Sequence, residues 1–164
     1  MDINKAKSLS FDELRKEYKA QRLDSKKKAL AKLNAQLDEV SSLSEEDANK
    51  VNSFINLFAQ CELVYKTLYP EMKRIQDNEQ IDVRQLKFNV QKFEAALRAF
   101  GISFDHDKMN EMFSAKKSYL TCRDGILHGL KKSNIDEVLA NYDEMQTTMR
   151  EFLECVANAE PKEK

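Results

Sequence analysis

The sequence predicts an all-α fold, an up-and-down bundle of four to five main helices. Its 164 residues include three glycines, two prolines and no tryptophan, which leaves little turn chemistry for a β-sandwich or an alternating α/β array. Apolar residues recur at spacings of three and four along most of the chain, as on one face of a packed helix. The connections are short and no internal repeat is present, so we expect a single domain over residues 1–164.

The first helix is expected to begin near Phe11. Ser10 is followed three residues later by Glu13, which is the spacing of a capping box. The segment then runs to Ser42 either as one long bent helix or as two helices, because its two apolar stripes are out of phase. A bend or a helix break is predicted near residues 24–28, where Asp and Ser precede three lysines.

The second helix is expected to begin after Ser44, because the acidic residues that follow suit the positive end of the helix dipole. Leu57 and Leu63 widen its apolar stripe, so this helix is predicted to be the most enclosed. Pro70 is expected to kink it or to begin a new short turn. Residues 77–80 are a polar connection.

The third and fourth helices follow from the same periodicity. The third is expected over residues 82–100, whose apolar residues alternate at spacings of three and four, and Gly101 closes it as a C-cap. The fourth is expected to begin near Asp105 and to run to Gly129 or slightly beyond.

The fifth helix is expected to begin at a capping sequence over residues 133–136 and to extend to Val156, with a polar tail over residues 158–164. The methionines of the last two segments are predicted to pack in the core rather than to line a groove for a partner. They are Met109, Met112, Met145 and Met149.

Charge is unevenly distributed, although the net charge is only -1. Residues 1–32 carry ten Lys/Arg against five Asp/Glu, and residues 134–164 carry three against eight. Residues 116–132 carry five Lys/Arg against a single Asp. A phosphate-bearing partner could exploit that cluster. The alternative is a solvated face whose lysines stabilise the end of a helix.

The cysteines Cys61, Cys122 and Cys155 are odd in number and form no C-x-x-C spacing, so neither a disulfide framework nor a zinc site is expected. We expect them to be small core residues in a reducing compartment. No apolar run approaches the ~20 residues that a membrane-spanning helix needs, and no secretory leader is recognisable. The protein is predicted to be cytoplasmic, with no membrane partner.

One helical stretch, residues 119–130, contains three polar residues that are costly to bury: Arg123, Asp124 and His128. Asp124 and His128 are four residues apart, so on a helix the carboxylate can fix the imidazole tautomer. The trio suits phosphoryl chemistry, because imidazole moves protons near neutral pH and guanidinium binds phosphate oxygens. The alternative is a salt-bridged set at the end of a core helix, with His128 as its C-terminal cation.

The six residues from Arg123 to His128, on the penultimate helix of a small all-α chain, resemble the R-x(4–6)-H motif of the HEPN superfamily. The polar residue after Arg123 and Gly129 after His128 also fit. The resemblance implies a HEPN-like bundle and a metal-independent endoribonuclease or RNA-binding protein, whose cleft forms between the two protomers of a homodimer. It further implies a role in defence or as a toxin, with a regulatory protein partner.

The resemblance also implies a role for each residue of the motif. His128 is the general base or acid for attack of the RNA 2′-hydroxyl on the adjacent phosphate. Arg123 holds the phosphate and stabilises charge in the transition state, and Asp124, where family proteins often have Asn, orients His128. No metal or other cofactor is expected. The residues expected to contact RNA flank the motif and are Lys116, Lys117, Tyr119, Lys131 and Lys132.

Some of these residues also have a second interpretation. Tyr119 either stacks on a base or packs in the core. His106, beside two aspartates at a helix start, is predicted to be a surface or capping residue and not a metal ligand. Gly125 costs about 0.5–1 kcal/mol of helix stability relative to Ala, so it is expected to admit the close approach of the partner helix or of a substrate backbone.

Several enzyme classes are disfavoured. The sequence contains no Gly-rich phosphate loop, no H-E-x-x-H, no Ser-centred nucleophile elbow and no paired acids with di-iron spacing. The alternative to an RNA-cleaving enzyme is a non-catalytic helical module that docks a protein partner, through the bundle or through the basic N-terminal helix.

Overall fold

The structure is a computed structural model that describes residues 10–129 and 131–159. All regular secondary structure within these residues is helical, with seven α-helices and one 3-10 turn, which confirms the all-α class. Residues 160–164 of the predicted polar tail lie outside the described residues. The chain divides into two compact units, residues 1–42 and 43–164, and each is described by itself. The single domain over residues 1–164 stays a prediction.

The first unit contains helix α1, which spans Phe11–Ser41. The backbone N–H of Ser10 donates to Glu13 Oε2 (2.8 Å), and the backbone N–H of Glu13 donates to Ser10 Oγ (3.4 Å), so the predicted capping box is formed. Of the two predicted alternatives, one long helix is formed, and no break occurs near residues 24–28. The helix is continuous there, because a lysine-rich segment has good helix propensity.

The second unit begins with helix α2, Glu45–Asp77. Ser44 caps it as predicted, because its Oγ accepts a hydrogen bond from the backbone N–H of Asp47 (3.1 Å). The helix continues through Pro70 rather than restarting there. Leu63, predicted to widen the buried stripe, is instead 61% exposed.

Helix α2 is the central element of this unit. It packs against the helices α3 (Val90–Ala99), α5 (Tyr119–Gly129), α6 (Lys132–Ala140) and α7 (Tyr142–Ala157), while the short helix α4 (His106–Phe113) packs against α3 and α5. Its position agrees with the prediction that it is the most enclosed helix. None of the helices in the described part of the chain is long and apolar enough to cross a bilayer.

The core of this unit is rich in aromatic rings and methionines. Phe113 lies 5.4 Å from Phe58 and 5.2 Å from Phe93, measured between ring centroids, so rings from α2, α3 and α4 meet in one cluster. All four methionines that were predicted to be core residues are buried, as are two of the three cysteines. The largest fully buried side chains are Tyr65, Phe54, Phe58, Phe93, Phe113, Phe152, Met109, Met112 and Met149.

The third predicted helix is shorter than expected. Residues 83–85 form only a 3-10 turn, and the α-helix begins at Val90, after the side chain of Asn89 caps it by accepting a hydrogen bond from the backbone N–H of Lys92 (2.9 Å). Its end is confirmed. Gly101 adopts a φ of 75°, a left-handed conformation that favours glycine at a helix C-terminus.

The fourth and fifth predicted helices are each interrupted. The fourth is divided by residues 114–118, which separate α4 from α5, and Lys117 there has a φ of 49°. The fifth is divided at Asn141, which lies between α6 and α7. The predicted cap over residues 133–136 is wrong, because α6 already begins at Lys132.

Candidate active site

Helix α5, which carries the motif, begins at a local hydrogen-bond pair. The backbone N–H of Ser118 donates to Thr121 Oγ1 (2.9 Å), and the backbone N–H of Thr121 donates to Ser118 Oγ (3.3 Å). At the other end, the backbone N–H of Lys131 donates to the carbonyl of Gly125 (3.1 Å). These hydrogen bonds satisfy backbone groups that would otherwise be unpaired at the helix ends. They mark the two ends of α5, which contains the motif and a few residues on either side.

The two sides of α5 differ in burial. Tyr119, Cys122 and Ile126, spaced by three and four residues, are buried in the core. Arg123 lies at the edge of this buried side, about 60° around the axis from Ile126, and is partly buried, as is Asp124. His128 lies on the opposite side of the helix and is exposed. Helix geometry therefore places His128 at the surface of the bundle and Arg123 at the edge of the core.

Arg123 is held by partners on two helices. Its Nη2 lies 3.0 Å from Glu62 Oε1 on α2, and its Nη1 lies 2.8 Å from Asp124 Oδ1. The Arg123 Cζ lies 5.5 Å from the centroid of the Phe58 ring, within the range of a cation–π interaction. The Arg123 side chain is only 15% exposed, so its position is set by packing and by two ion pairs.

A fourth charge completes this cluster. Lys66 Nζ lies 3.2 Å from Glu62 Oε1, the oxygen that also accepts from Arg123. We call these four residues the charge cluster: Lys66, Glu62, Arg123 and Asp124. The charges of its two cations and two anions balance one another. Sequence reasoning missed Glu62 and Lys66. The available signal was an acid and a lysine four residues apart inside the apolar stripe of α2.

The predicted hydrogen bond between Asp124 and His128 is not formed. Asp124 pairs with Arg123, and among the described residues His128 has no hydrogen-bond or ion-pair partner. Leu127, beside His128 in the chain, is 53% exposed. The structure therefore brings Arg123 and Asp124 together, and it leaves His128 available to solvent on the same helix.

The lysines among the predicted RNA-contacting residues lie at the two ends of α5. Lys116 and Lys117 precede the N-terminus of α5, whereas Lys131 and Lys132 follow its C-terminus, and all four are exposed. An eleven-residue helix is about 16 Å long at its usual rise. Only the second pair is close in sequence to His128, and there Lys132 also lies 3.5 Å from the carboxylate of Asp136.

Tyr119 packs in the core and does not present its ring to a base. The residue is 7% exposed, and its ring meets that of Phe54 edge-on at 6.4 Å. Burial raises the pKa of its hydroxyl, which hydrogen-bonds with the side chain of Thr148. Of the two interpretations of Tyr119, core packing is the one that the structure shows.

Gly125 admits the neighbouring helix α6. A Cβ built on Gly125 would lie 2.3 Å from Asn134 Oδ1, closer than van der Waals contact allows. The side chain of Asn134 also hydrogen-bonds with the thiol of Cys122, whose pKa is raised by burial. A side chain at position 125 would therefore have to displace Asn134 of α6, which belongs to the same chain, and the predicted approach of the partner helix or of a substrate backbone stays a prediction.

His106 lies away from the motif, at the start of α4. Its Nδ1 is 2.5 Å from Glu94 Oε1 on α3, and its Nε2 is 2.9 Å from the side-chain amide nitrogen of Asn110. The side chain is 68% exposed, so the prediction of a surface residue is confirmed. The Glu94 carboxylate raises the pKa of His106. Within the described residues, no three His, Cys, Asp or Glu side chains lie together as a metal site.

Comparison with protein-family models, with curated proteins and with solved structures found no match to this chain. The likeness to the HEPN superfamily therefore rests on the motif and its helical setting alone.

Proposed function

We propose that the protein is a HEPN-like, metal-independent endoribonuclease whose site is completed by a second copy of the chain. The observation that carries the proposal is the contrast between the two motif residues. Arg123 is fixed by the charge cluster, while His128 is exposed and unpartnered among the described residues of the same helix. An accessible imidazole can take the proton of an RNA 2′-hydroxyl, and a fixed cation can stabilise the charge that develops on the phosphate.

In the proposed reaction, His128 takes the proton of an RNA 2′-hydroxyl, and the 2′-oxygen attacks the adjacent phosphorus. The bond from phosphorus to the 5′-oxygen of the next nucleotide breaks, and that oxygen leaves as a hydroxyl after it receives a proton from a second acid. The products are a 2′,3′-cyclic phosphate and a 5′-hydroxyl. Arg123 stabilises the negative charge that develops on the phosphate oxygens.

We propose a second copy of the chain because the reaction needs a second acid. One protomer supplies one imidazole near the motif, and its only other histidine, His106, is paired with Glu94 on α3. In a symmetric dimer the same surface meets itself, so each His128 would face another. Leu127 supports this arrangement, because a leucine that is 53% exposed beside the site supplies apolar area for a partner to cover.

The test compares the two histidines of the chain. We expect His128→Ala to reduce cleavage of single-stranded RNA in the presence of EDTA by at least about 100-fold, because general acid–base catalysis contributes that much or more. The matched control is His106→Ala, which removes the same group at a paired surface position and is expected to leave cleavage unchanged. Helical circular dichroism should be the same for all three proteins. Cleavage that survives His128→Ala contradicts the assignment of the base.

A non-catalytic helical interaction module is the second candidate. It is favoured by the exposed apolar side chains of α1, because a helix that presents leucines to solvent is suited to dock a partner. These residues are Leu23, Leu30, Leu33 and Leu37. The charge cluster fits this candidate too, as a purely structural ion-pair set. A wild-type chain that is monomeric and neither binds nor cuts RNA would decide in its favour.

A further inference from the structure

We propose that Asp124 is an internal competitor for the RNA phosphate: it occupies Arg123 in the free protein, and the phosphate displaces it. Glu62 stays in place and keeps the guanidinium positioned. This inference rests on the proposed function and assigns Asp124 a role different from orienting His128. The motivating observation is that both carboxylates bind the guanidinium at once, so Arg123 meets a substrate with its charge already balanced.

Asp124 is the partner that yields, because its carboxylate is the more accessible of the two. The Asp124 side chain is 48% exposed, against 20% for Glu62. A carboxylate released at the surface regains its hydration at little cost, whereas a partly buried one does not. Glu62 also pairs with Lys66, so displacing Glu62 would cost the Lys66 ion pair as well as the bond to Arg123.

The guanidinium can exchange one partner without moving. Arginine carries five N–H donors, and the two observed ion pairs engage one nitrogen each, Nη2 with Glu62 and Nη1 with Asp124. A phosphate oxygen that takes the place of Asp124 on Nη1 leaves the bond to Glu62 intact. The ring of Phe58, which is fully buried, lies against the guanidinium and supports it during the exchange.

The consequence is that Asp124 lowers the affinity of the site for RNA. Removing that negative charge while keeping the shape of the side chain should strengthen phosphate binding. We expect Asp124→Asn to lower the dissociation constant about three- to fivefold, the size of effect that a partly exposed charge exerts at contact distance. The gain should shrink as salt is added, because exposed charges are screened.

The experiment measures binding of a fluorescein-labelled 2′-O-methyl RNA oligonucleotide by anisotropy. Its 2′-oxygen carries no proton and cannot attack, so binding is observed without cleavage. The matched control is Glu71→Gln, which removes one carboxylate from another arginine pair, Arg74–Glu71, on α2. Glu71 lies nine residues beyond Glu62, about 13 Å along the helix and more than a Debye length away at about 0.1 M salt. It should leave the dissociation constant unchanged.

A double-mutant cycle separates competition at Arg123 from a general effect of charge. In the Arg123→Gln background there is no guanidinium to compete for, so Asp124→Asn should no longer tighten binding. The inference is overturned if Asp124→Asn tightens binding equally in both backgrounds, or if it fails to tighten binding in the wild-type background while His128-dependent cleavage is present. If the wild-type protein neither cuts RNA nor binds the oligonucleotide, the proposed function itself is wrong, and the inference with it.

Discussion

At the scale of single residues, the motif could be identified from the sequence, but its contacts could not. Arg123 and His128 share one helix as predicted, and the cost of burying an arginine predicted either a partner or a function for it. That partner is Glu62, on a helix far earlier in the chain. Helical periodicity relates residues of one helix only, so it could not predict which carboxylate of another helix would reach Arg123.

Gly125 gives a stability test at this scale. We expect Gly125→Ala to lower the free energy of unfolding by about 1 kcal/mol, because the added methyl group displaces Asn134 and outweighs the gain in helix propensity. In the Asn134→Ala background the clash is gone, so the same change should be neutral or stabilising by about 0.5–1 kcal/mol. Urea unfolding of the four proteins measures both differences.

The control for this prediction is the other glycine of α5. A Cβ on Gly129 would meet only the flexible side chain of Lys131, at 3.3 Å. Gly129→Ala should therefore cost less than Gly125→Ala. Equal costs at the two positions, or a cost at Gly125 that persists in the Asn134→Ala background, would contradict the packing explanation.

At the scale of helices, the sequence predicted where most segments lie but not where they are interrupted. The interruptions fall within continuous apolar stripes, and periodicity carries no mark for a short break between two helices that keep the same buried side. Local capping residues were the missed signal. Ser118 precedes Thr121 by three residues and exchanges hydrogen bonds with it, and the side-chain amide of Asn141 donates to the carbonyl of Glu137 at the end of α6. A break between two helices that share one apolar stripe is therefore predicted from the polar residues at the helix ends and not from periodicity.

The contact between α3 and α4 predicts a pH dependence. Because Glu94 raises the pKa of His106 above its usual 6.5, the pair stabilises the fold fully below pH 6.5, and this contribution is lost as the pH rises through the higher pKa of the folded state. We expect the wild-type protein to be more stable than Glu94→Gln at pH 6, with the difference shrinking above neutrality. Urea unfolding of both proteins across this range measures it. A difference that does not vary with pH would show that the pair does not act through protonation of His106.

At the scale of the whole molecule, composition and periodicity were enough to predict the all-α class. Few glycines and prolines leave little turn chemistry for β-structure, and apolar residues at helical spacing are buried when helices pack together. Composition and periodicity also identified the buried methionines and cysteines. They could not show that helix α1 exposes its leucines, since an apolar stripe looks the same whether or not another helix covers it. The homodimer was implied by the resemblance alone, which puts the two motifs at its interface, and it stays a prediction.

The central claim is that two copies of α5 build one RNA-cleaving site. The most direct test is the rate of RNA cleavage per protomer, measured over protein concentrations that span the monomer–dimer equilibrium determined by analytical ultracentrifugation. We predict that the rate per protomer rises in proportion to the dimer fraction and that it stays at background for His128→Ala at every concentration. A rate per protomer that is constant while the chain is monomeric would contradict the composite site.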